Sequence, residues 1–438
     1  MIEMMESVWK ETVELPHFEK LQGDVETDVL IIGGGITGIL CAYILQERGI
    51  DYLLVEGEEI CHGTTGNTTA KITVQHGLVY AKMIKRAGVE NAKRYLEANQ
   101  LALRKFVELA AKFPCDLAEK SAYVYSLDDR KKLEQEAQAY RMLGLDDEIV
   151  ETTELPFPTE GAVRIRKQAQ FHPLKFLSQI AGRLKIHEHS FVTQLLPGKA
   201  LTESGSIAYQ KVIFATHYPI DNKHGAYFLK LYQHRSYVIA LEHAAQLEGM
   251  YVDEGKKGMS FRSYGDLLFV GGGGHRTGKK GGNWQELRNF AGKYYPDAIE
   301  RYHWAAQDCM PLDETPYIGV YSPAMPDAYV AAGFRKWGMT SAMAAAMILA
   351  DLLQGIENPY AEAFRPARNI FTKQLFCNGA ESIWNLLTPT VPRCPHLGCA
   401  LKWNPTEHTW DCPCHGSRFD KSGKLLDNPA NADMRKKC

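Results

Sequence analysis

The apolar run Val29-Leu30-Ile31-Ile32 stands directly before a glycine-rich turn and lacks the polar alternation of a strand with one wet face. An uninterrupted run of that length is the pattern of a strand buried in a parallel sheet. The turn carries Gly33, Gly35 and Gly38 and opens a second apolar stretch, which predicts a helix over residues 36–48 stopped by Gly49. Tyr52-Leu53-Leu54-Val55-Glu56 predicts the next strand. Two later segments repeat the strand-into-turn pattern. One runs from Lys211 to Thr216 and His217; the other runs from Ala328 through Gly333 and Gly338 into an apolar helix predicted over residues 341–353. Between these landmarks the periodicity changes. Leu101, Leu103, Phe106 and Leu109 recur at helical intervals, and amphipathic helices are predicted over residues 83–113 and 129–142. Runs such as Tyr237-Val238-Ile239-Ala240-Leu241 suit an antiparallel sheet over residues 228–270. Residues 1–27 are mixed and charged, with Trp9 as their main apolar anchor, and Pro389 and Pro392 break regular structure before the last segment.

The spacing of the first turn adds chemistry. In Gly-x-Gly-x-x-Gly the backbone can approach a pyrophosphate closely, and the following helix offers unpaired N–H groups and the positive end of its dipole. Glu56 ends the second strand, where a carboxylate accepts hydrogen bonds from an adenosine ribose. Strand, turn, helix, strand and terminal acid together predict a dinucleotide site, for FAD or NAD. Gly271-Gly272-Gly273-Gly274-His275 follows a strand but opens no apolar helix, so it is read as a turn in a sheet and not as a nicotinamide site.

Composition narrows the function classes. The 438 residues suffice for two or three domains, and a formal net charge of -2 with scattered Lys and Arg gives no footprint for nucleic acid. The apolar stretch at 342–353 is too short to span a bilayer, so a soluble cytoplasmic protein is expected. Of 10 cysteines, Cys394, Cys399, Cys412, Cys414 and Cys438 crowd into the C-terminal segment, which points to one metal site and not to a secreted disulfide framework.

That segment holds two boxes, Cys394-Pro395-His396-Leu397-Gly398-Cys399 and Cys412-Pro413-Cys414-His415-Gly416-Ser417. Each offers a cysteine followed by a histidine. Structural zinc is one use of two cysteines and two histidines, but zinc gives no reason for Cys399, Cys414 or the Gly416-Ser417 pair. The boxes resemble the Rieske family over residues 391–434. The resemblance implies a [2Fe-2S] cluster with Cys394 and Cys412 on one iron and His396 and His415 on the other, and a clamping disulfide between Cys399 and Cys414. It also implies that Ser417 donates a hydrogen bond to a bridging sulfide, while Phe419 stands where the family often has tyrosine, which lowers the potential. Little chain precedes the first box, so a shortened subdomain that leans on the rest of the protein is expected.

The order of landmarks over residues 28–355 resembles the D-amino acid oxidase superfamily of flavoproteins. Residues 64–77, Gln170-Phe171-His172-Pro173, 271–278 and 304–319 resemble its subgroup fused to a C-terminal Rieske domain. The implied fold is an α/β Rossmann-like FAD-binding domain interleaved with an α+β antiparallel-sheet substrate domain, followed by a small β cluster-binding subdomain. The implied boundaries are an extension at 1–27, FAD-binding parts at 28–82, 165–225 and 318–378, substrate-domain parts at 83–164 and 226–317, and a Rieske-like domain at 388–438. FAD would rest on Gly33, Gly35, Gly38 and Glu56, with Thr64, Thr65, Gly66, Thr216, Gly333, Gly338, Met339 and Thr340 near the rest of the cofactor. The resemblance implies a small amine or amino-acid substrate whose carboxylate Arg335 clamps; His275, Arg276 and Gln307 are further candidates for substrate contact, His275 to orient substrate or to sense flavin charge. Cys309 stands where cysteinyl-linked sarcosine oxidases have a Cys-Met pair, and is either a flavin link or a small core residue. Electrons would pass between flavin and cluster to an external one-electron partner, protein or quinone-like, through an exposed edge of His396 or His415. The alternative is an electron-transfer module with no metabolite turned over at the flavin.

Overall fold

Residues 6–221, 224–255, 258–368, 373–389 and 392–434 are described by the structure, a computed structural model. The predicted apolar run becomes the strand Val25–Ile32, which pairs in parallel with Tyr52–Val55 on one side and Ser206–Phe214 on the other. Met325–Ala332 adds in parallel to Ser206–Phe214, and Tyr317–Ser322 closes that edge antiparallel. The sheet is covered by the helices Ile36–Glu47 and Gly338–Leu353, whose almost wholly buried sequences pack on each other as well as on the strands.

The first turn explains its glycines by contact distances. Gly33 has φ +111°, and a Cβ there would lie 2.6 Å from the Ala215 carbonyl oxygen. At Gly38 a Cβ would lie 1.9 Å from the Gly33 carbonyl oxygen, so the helix can approach the turn only without a side chain. Trp9 is fully buried on the short helix Val8–Thr12, and its indole N–H donates to the Thr68 carbonyl at 2.6 Å. The N-terminal extension is thereby pinned to the flavin-side loop.

A second sheet runs in the order Ile299–Pro311, Leu231–Glu242, Leu267–Arg276, Ser260–Tyr264, Met250–Asp253, Ala118–Tyr125, Ala162–Gln170, Lys71–Ile72. It is mixed, because Met250–Asp253 pairs in parallel with Ala118–Tyr125. The boundary expected at residue 165 therefore falls inside the strand Ala162–Gln170, which belongs to this sheet. The helical stretch over 83–113 divides into Tyr80–Ala87 and Val89–Ala110 at Gly88, whose φ of +83° favours glycine. The expected turn at Gly271–Gly274 is instead the interior of the strand Leu267–Arg276. Register slips by one residue opposite it, between Arg235 and Tyr237, and at Gly273 a Cβ would meet the Asn283 backbone at 2.3 Å.

Before the cluster boxes the chain forms the helix Lys373–Leu387. Its polar side turns inward: Asn378 accepts from Arg276 at 2.7 Å and Glu381 pairs with Lys279 at 2.6 Å, while Phe376, Ile383, Trp384 and Leu387 are exposed. The last segment is a small antiparallel sheet of Lys402–Asn404, Thr409–Asp411, Arg418–Phe419 and Leu425–Asp427. No helix among the described residues is long and apolar enough to cross a membrane.

Candidate functional site

A cavity of about 1150 Å³ lies between the two larger sheets. Gly33, Gly35, Glu56, Thr64, Thr65, Thr216, Gly333, Gly338 and Met339, all expected near the cofactor, line it. Three other expected contacts are set back from it. Gly38 is packed against the turn. The Gly66 N–H donates to Cys61 O at 2.9 Å, and its carbonyl accepts from the Ser7 hydroxyl. The Thr340 hydroxyl donates to Thr73 O at 3.1 Å and lies 3.0 Å from His76 Nε2. Gly38→Ala is accordingly expected to cost about 1–3 kcal/mol by overpacking and to weaken FAD binding, read by thermal melting and by titrating apoprotein with FAD.

The residues present fit a dinucleotide. The Thr65 hydroxyl accepts from the Ile36 N–H at 3.0 Å, so this loop sits on the N-terminus of the first helix, where a pyrophosphate is favoured. The Glu56 carboxylate accepts from the Gly34 N–H at 2.6 Å and the Glu58 N–H at 3.0 Å, while burial raises its pKa above the ordinary range. Sequence reasoning missed Glu188, which is buried and accepts from Ile60 N at 2.7 Å and Phe18 N at 2.9 Å, tying the N-terminal extension to the loop that follows Tyr52–Val55.

The chemistry-bearing groups of the cavity differ from expectation. Both His275 nitrogens are engaged, Nε2 with the Tyr237 hydroxyl at 3.0 Å and Nδ1 with Arg276 O at 2.9 Å, and the residue does not line the cavity. It is a strand residue stacked on Tyr237 and not a group that faces a substrate in the cavity. Arg335 does line the cavity, yet its guanidinium leans on the Glu314 carbonyl at 3.4 Å and carboxylate at 3.8 Å. Cys309 lies outside the cavity, in the apolar cluster with Leu231, Tyr317 and Tyr321, where burial raises its thiol pKa. The group sequence reasoning missed is Asp308, which faces the cavity and accepts from the Ser236 hydroxyl at 2.8 Å. Burial raises its carboxyl pKa. Lys71, also on the cavity wall, is brought down to about 7 by burial and by the neighbouring Arg262 and Lys336 charges. Only the fold reveals such groups, because their burial comes from residues distant in sequence.

The two C-terminal boxes converge. Cys394, Cys399, Cys412, Cys414 and His415 are all buried, and the rings of His396 and His415 stand 4.9 Å apart. The thiols of Cys394, Cys399 and Cys414 hydrogen-bond to Cys412 and hold its pKa well down. The sulfurs of Cys399, Cys412 and Cys414 lie within 4.8 Å of one another, and Cys399 and Cys414 stand as free thiols in place of the expected disulfide. Burial and the adjacent His415 bring His396 down to about 3, leaving both rings as neutral donors. Among the described residues neither ring nitrogen of His415 has a hydrogen-bond partner, a costly state that iron ligation would relieve at one of them. The Ser417 hydroxyl accepts from Ala430 N at 2.9 Å and stands beside Cys394, consistent with its expected place at the cluster. Donor set and orphaned imidazole fit a [2Fe-2S] cluster.

The cluster loops are fastened to the wall of the flavin cavity. Along Leu231–Glu242, Tyr232, His234 and Ser236 face the cavity, while Gln233 and Arg235 turn to the cluster domain. Along Ile299–Pro311, Ala306, Asp308 and Met310 face the cavity and Gln307 turns the other way. Period-two alternation thus gives one wall two uses. The cluster domain also supplies Leu425, Asp427, Asn428 and Ala430 to the cavity lining, and Asn428 Nδ2 donates to the Thr216 carbonyl at 2.6 Å.

Comparison with known proteins agrees with this geometry. Residues 28–352 match the family described as FAD dependent oxidoreductase, and residues 387–436 match the Rieske [2Fe-2S] domain. YhfW of Bacillus subtilis (strain 168), whose name describes a Rieske 2Fe-2S iron-sulfur protein, is 32% identical over 491 aligned positions, covering 98% of this chain and 96% of that one. The cytochrome b6-f complex iron-sulfur subunit 2 of Trichormus variabilis is 47% identical over 45 residues, 10% of this chain and 25% of that one. Among solved structures, glycine oxidase from Geobacillus kaustophilus has a TM-score of 0.67 at 18% identity, covering 79% of this chain and 99% of its own. L-proline dehydrogenase from P. horikoshii also has a TM-score of 0.67, at 16% identity, covering 80% and 98%. The chain belongs to the FAD dependent oxidoreductase family and carries a C-terminal Rieske [2Fe-2S] domain.

Proposed function

We propose that the protein oxidises a small amine or amino acid at the flavin and delivers the electrons through the cluster to an external one-electron partner, protein or quinone-like. The observation that carries this reading is the shared wall: residues of the cluster domain close part of the cavity that holds the flavin-binding glycines. FAD supplies a hydride acceptor for a substrate C–H bond, and the cluster accepts one electron at a time. Two electrons leave each substrate molecule and two protons are released. With a one-electron acceptor, two equivalents would be consumed for each substrate molecule oxidised.

The polar groups of the cavity suit a zwitterion. Asp308, Arg335 and Lys336 all line the cavity and supply an acidic side chain for a substrate ammonium group and basic ones for a substrate carboxylate. Anaerobic mixing of holoprotein with a panel of amino acids and N-methylamines is expected to bleach the flavin and then reduce the cluster. A flavin that no member of the panel bleaches, or a cluster that stays oxidised after bleaching, defeats the proposal.

A further inference from the structure

We infer that Gln307 is the positioning residue that fixes the cluster-ligand loop to the outer face of the flavin cavity wall, holding His415 inward and leaving His396 at the rim as the electron exit. The inference rests on the flavin-to-cluster reading above and adds where the two centres are coupled.

Gln307 is 3% exposed and has bonds in three directions. Its Nε2 donates to the Gly416 carbonyl at 2.9 Å, its Oε1 accepts from the Thr277 hydroxyl at 2.9 Å, and its backbone carbonyl accepts from the Thr64 hydroxyl at 2.9 Å. Thr64 lines the flavin cavity and Gly416 follows His415 in sequence. One buried residue therefore links the flavin-side loop with the cluster-side loop. Its neighbours Asp308 and Ala306 on the same strand face the cavity itself, so one strand layer separates the two sites.

The surrounding contacts make this a lock. Arg276 donates to Pro413 O at 3.1 Å and to Cys414 O at 3.0 Å, and Gln233 donates to Asn428 O at 2.7 Å. Two glycines let the surfaces meet: a Cβ on Gly416 would lie 2.4 Å from Gln233, and one on Gly278 would lie 2.7 Å from the Pro413 backbone. Side-chain donors spent on ligand-loop carbonyls fix orientation as well as proximity.

The histidines are consequently unequal. His415 is 2% exposed with its ring 6.2 Å from that of Phe228, at the start of the wall. His396 is partly exposed, beside the exposed Leu397. Of the two exits expected from the sequence, His396 is the more exposed residue. Held this way, the cluster domain receives electrons without swinging.

The test uses holoprotein and photochemical reduction of the flavin, so that no substrate is needed. Gln307→Met keeps the length of the side chain and removes its donor and acceptor. Cluster content and the form of the EPR spectrum should be retained, while flavin-to-cluster transfer slows and amide exchange at residues 412–417 quickens, each by about tenfold or more. Direct reduction of the cluster by dithionite and its reoxidation by ferricyanide should keep wild-type rates, since both use the outer side. Wild-type transfer and exchange in the variant overturn the inference. If Gln307→Met loses either cofactor, Gln233→Met, which breaks the Asn428 bond, carries the same comparison with the same two outcomes. Wild-type protein whose cluster stays oxidised after flavin photoreduction defeats the functional reading, and amide exchange then decides the positioning role on its own.

Discussion

Cys412→Ser is expected to remove the cluster's EPR signal and visible bands while leaving the flavin spectrum in place. Iron needs a thiolate, and Cys412 is the sulfur on which three other thiols converge, with its pKa held well down by them. A serine hydroxyl does not ionise under the same conditions, so occupancy should fall by more than the about 10–100-fold typical of lost outer partners. The small sheet packs its apolar core around Cys394, Cys399, Cys412 and Cys414. Loss of the cluster should therefore also loosen residues 392–434, visible as early proteolysis of that segment with the flavin domain intact. A variant that keeps a normal Rieske EPR spectrum would show that Cys412 is not a ligand, and the site would have to be rebuilt around Cys399 and Cys414.

Glu407→Gln should undock the cluster domain. Glu407 is the buried centre of a charge network: Arg235 Nε donates to it at 3.0 Å, the Tyr237 hydroxyl at 2.8 Å and Arg418 Nη2 at 2.8 Å. Arg235 belongs to the cavity wall and Arg418 to the cluster sheet, so the carboxylate joins two domains. Arg418 continues to Asp411 at 3.2 Å and Asp427 at 2.9 Å, whereas Arg235 among the described residues hydrogen-bonds to Glu407 alone. Removing the charge leaves Arg235 buried and uncompensated. Breaking a buried pair in this way costs about 3–5 kcal/mol, to be read from the denaturant midpoint for cluster loss.

The same network sets a pH dependence. Burial raises the Glu407 carboxyl but Arg235 and Arg418 outweigh it, and its pKa is lowered from 4.5 to about 2. A carboxylate depressed in the folded state stabilises above its unfolded pKa, and that stability is lost as pH falls through the folded value. Docking should hold above about pH 4.5 and weaken progressively toward about pH 2. In Glu407→Gln this acid-dependent loss should be smaller, measured as cluster release against pH in both proteins.

Much of the chemistry was legible because it depends on local spacing. A strand entering Gly33-x-Gly35-x-x-Gly38 can only make the close turn that Gly38 requires, and the boxes around Cys394 and Cys412 carry their cysteines and histidines at short fixed intervals. The misjudged positions depend on what lies across a sheet. His275 looked like a turn residue after four glycines, but the register slip opposite Arg235 keeps it in a strand and gives it to Tyr237. The boundary implied at residue 165 falls inside a strand, because pairing with Ala118–Tyr125 decides which sheet owns it.

The sequence by itself determined the two cofactors and the parallel nucleotide-binding sheet, since each is written in neighbouring residues. Only the tertiary structure decided that Gln307 and Asp308, adjacent in the chain, serve different centres, and that of two equivalent-looking histidines one faces inward and one the rim. The reason is physical: a strand's alternation fixes that successive side chains point apart, but what stands on each side is set by the packing of segments hundreds of residues away.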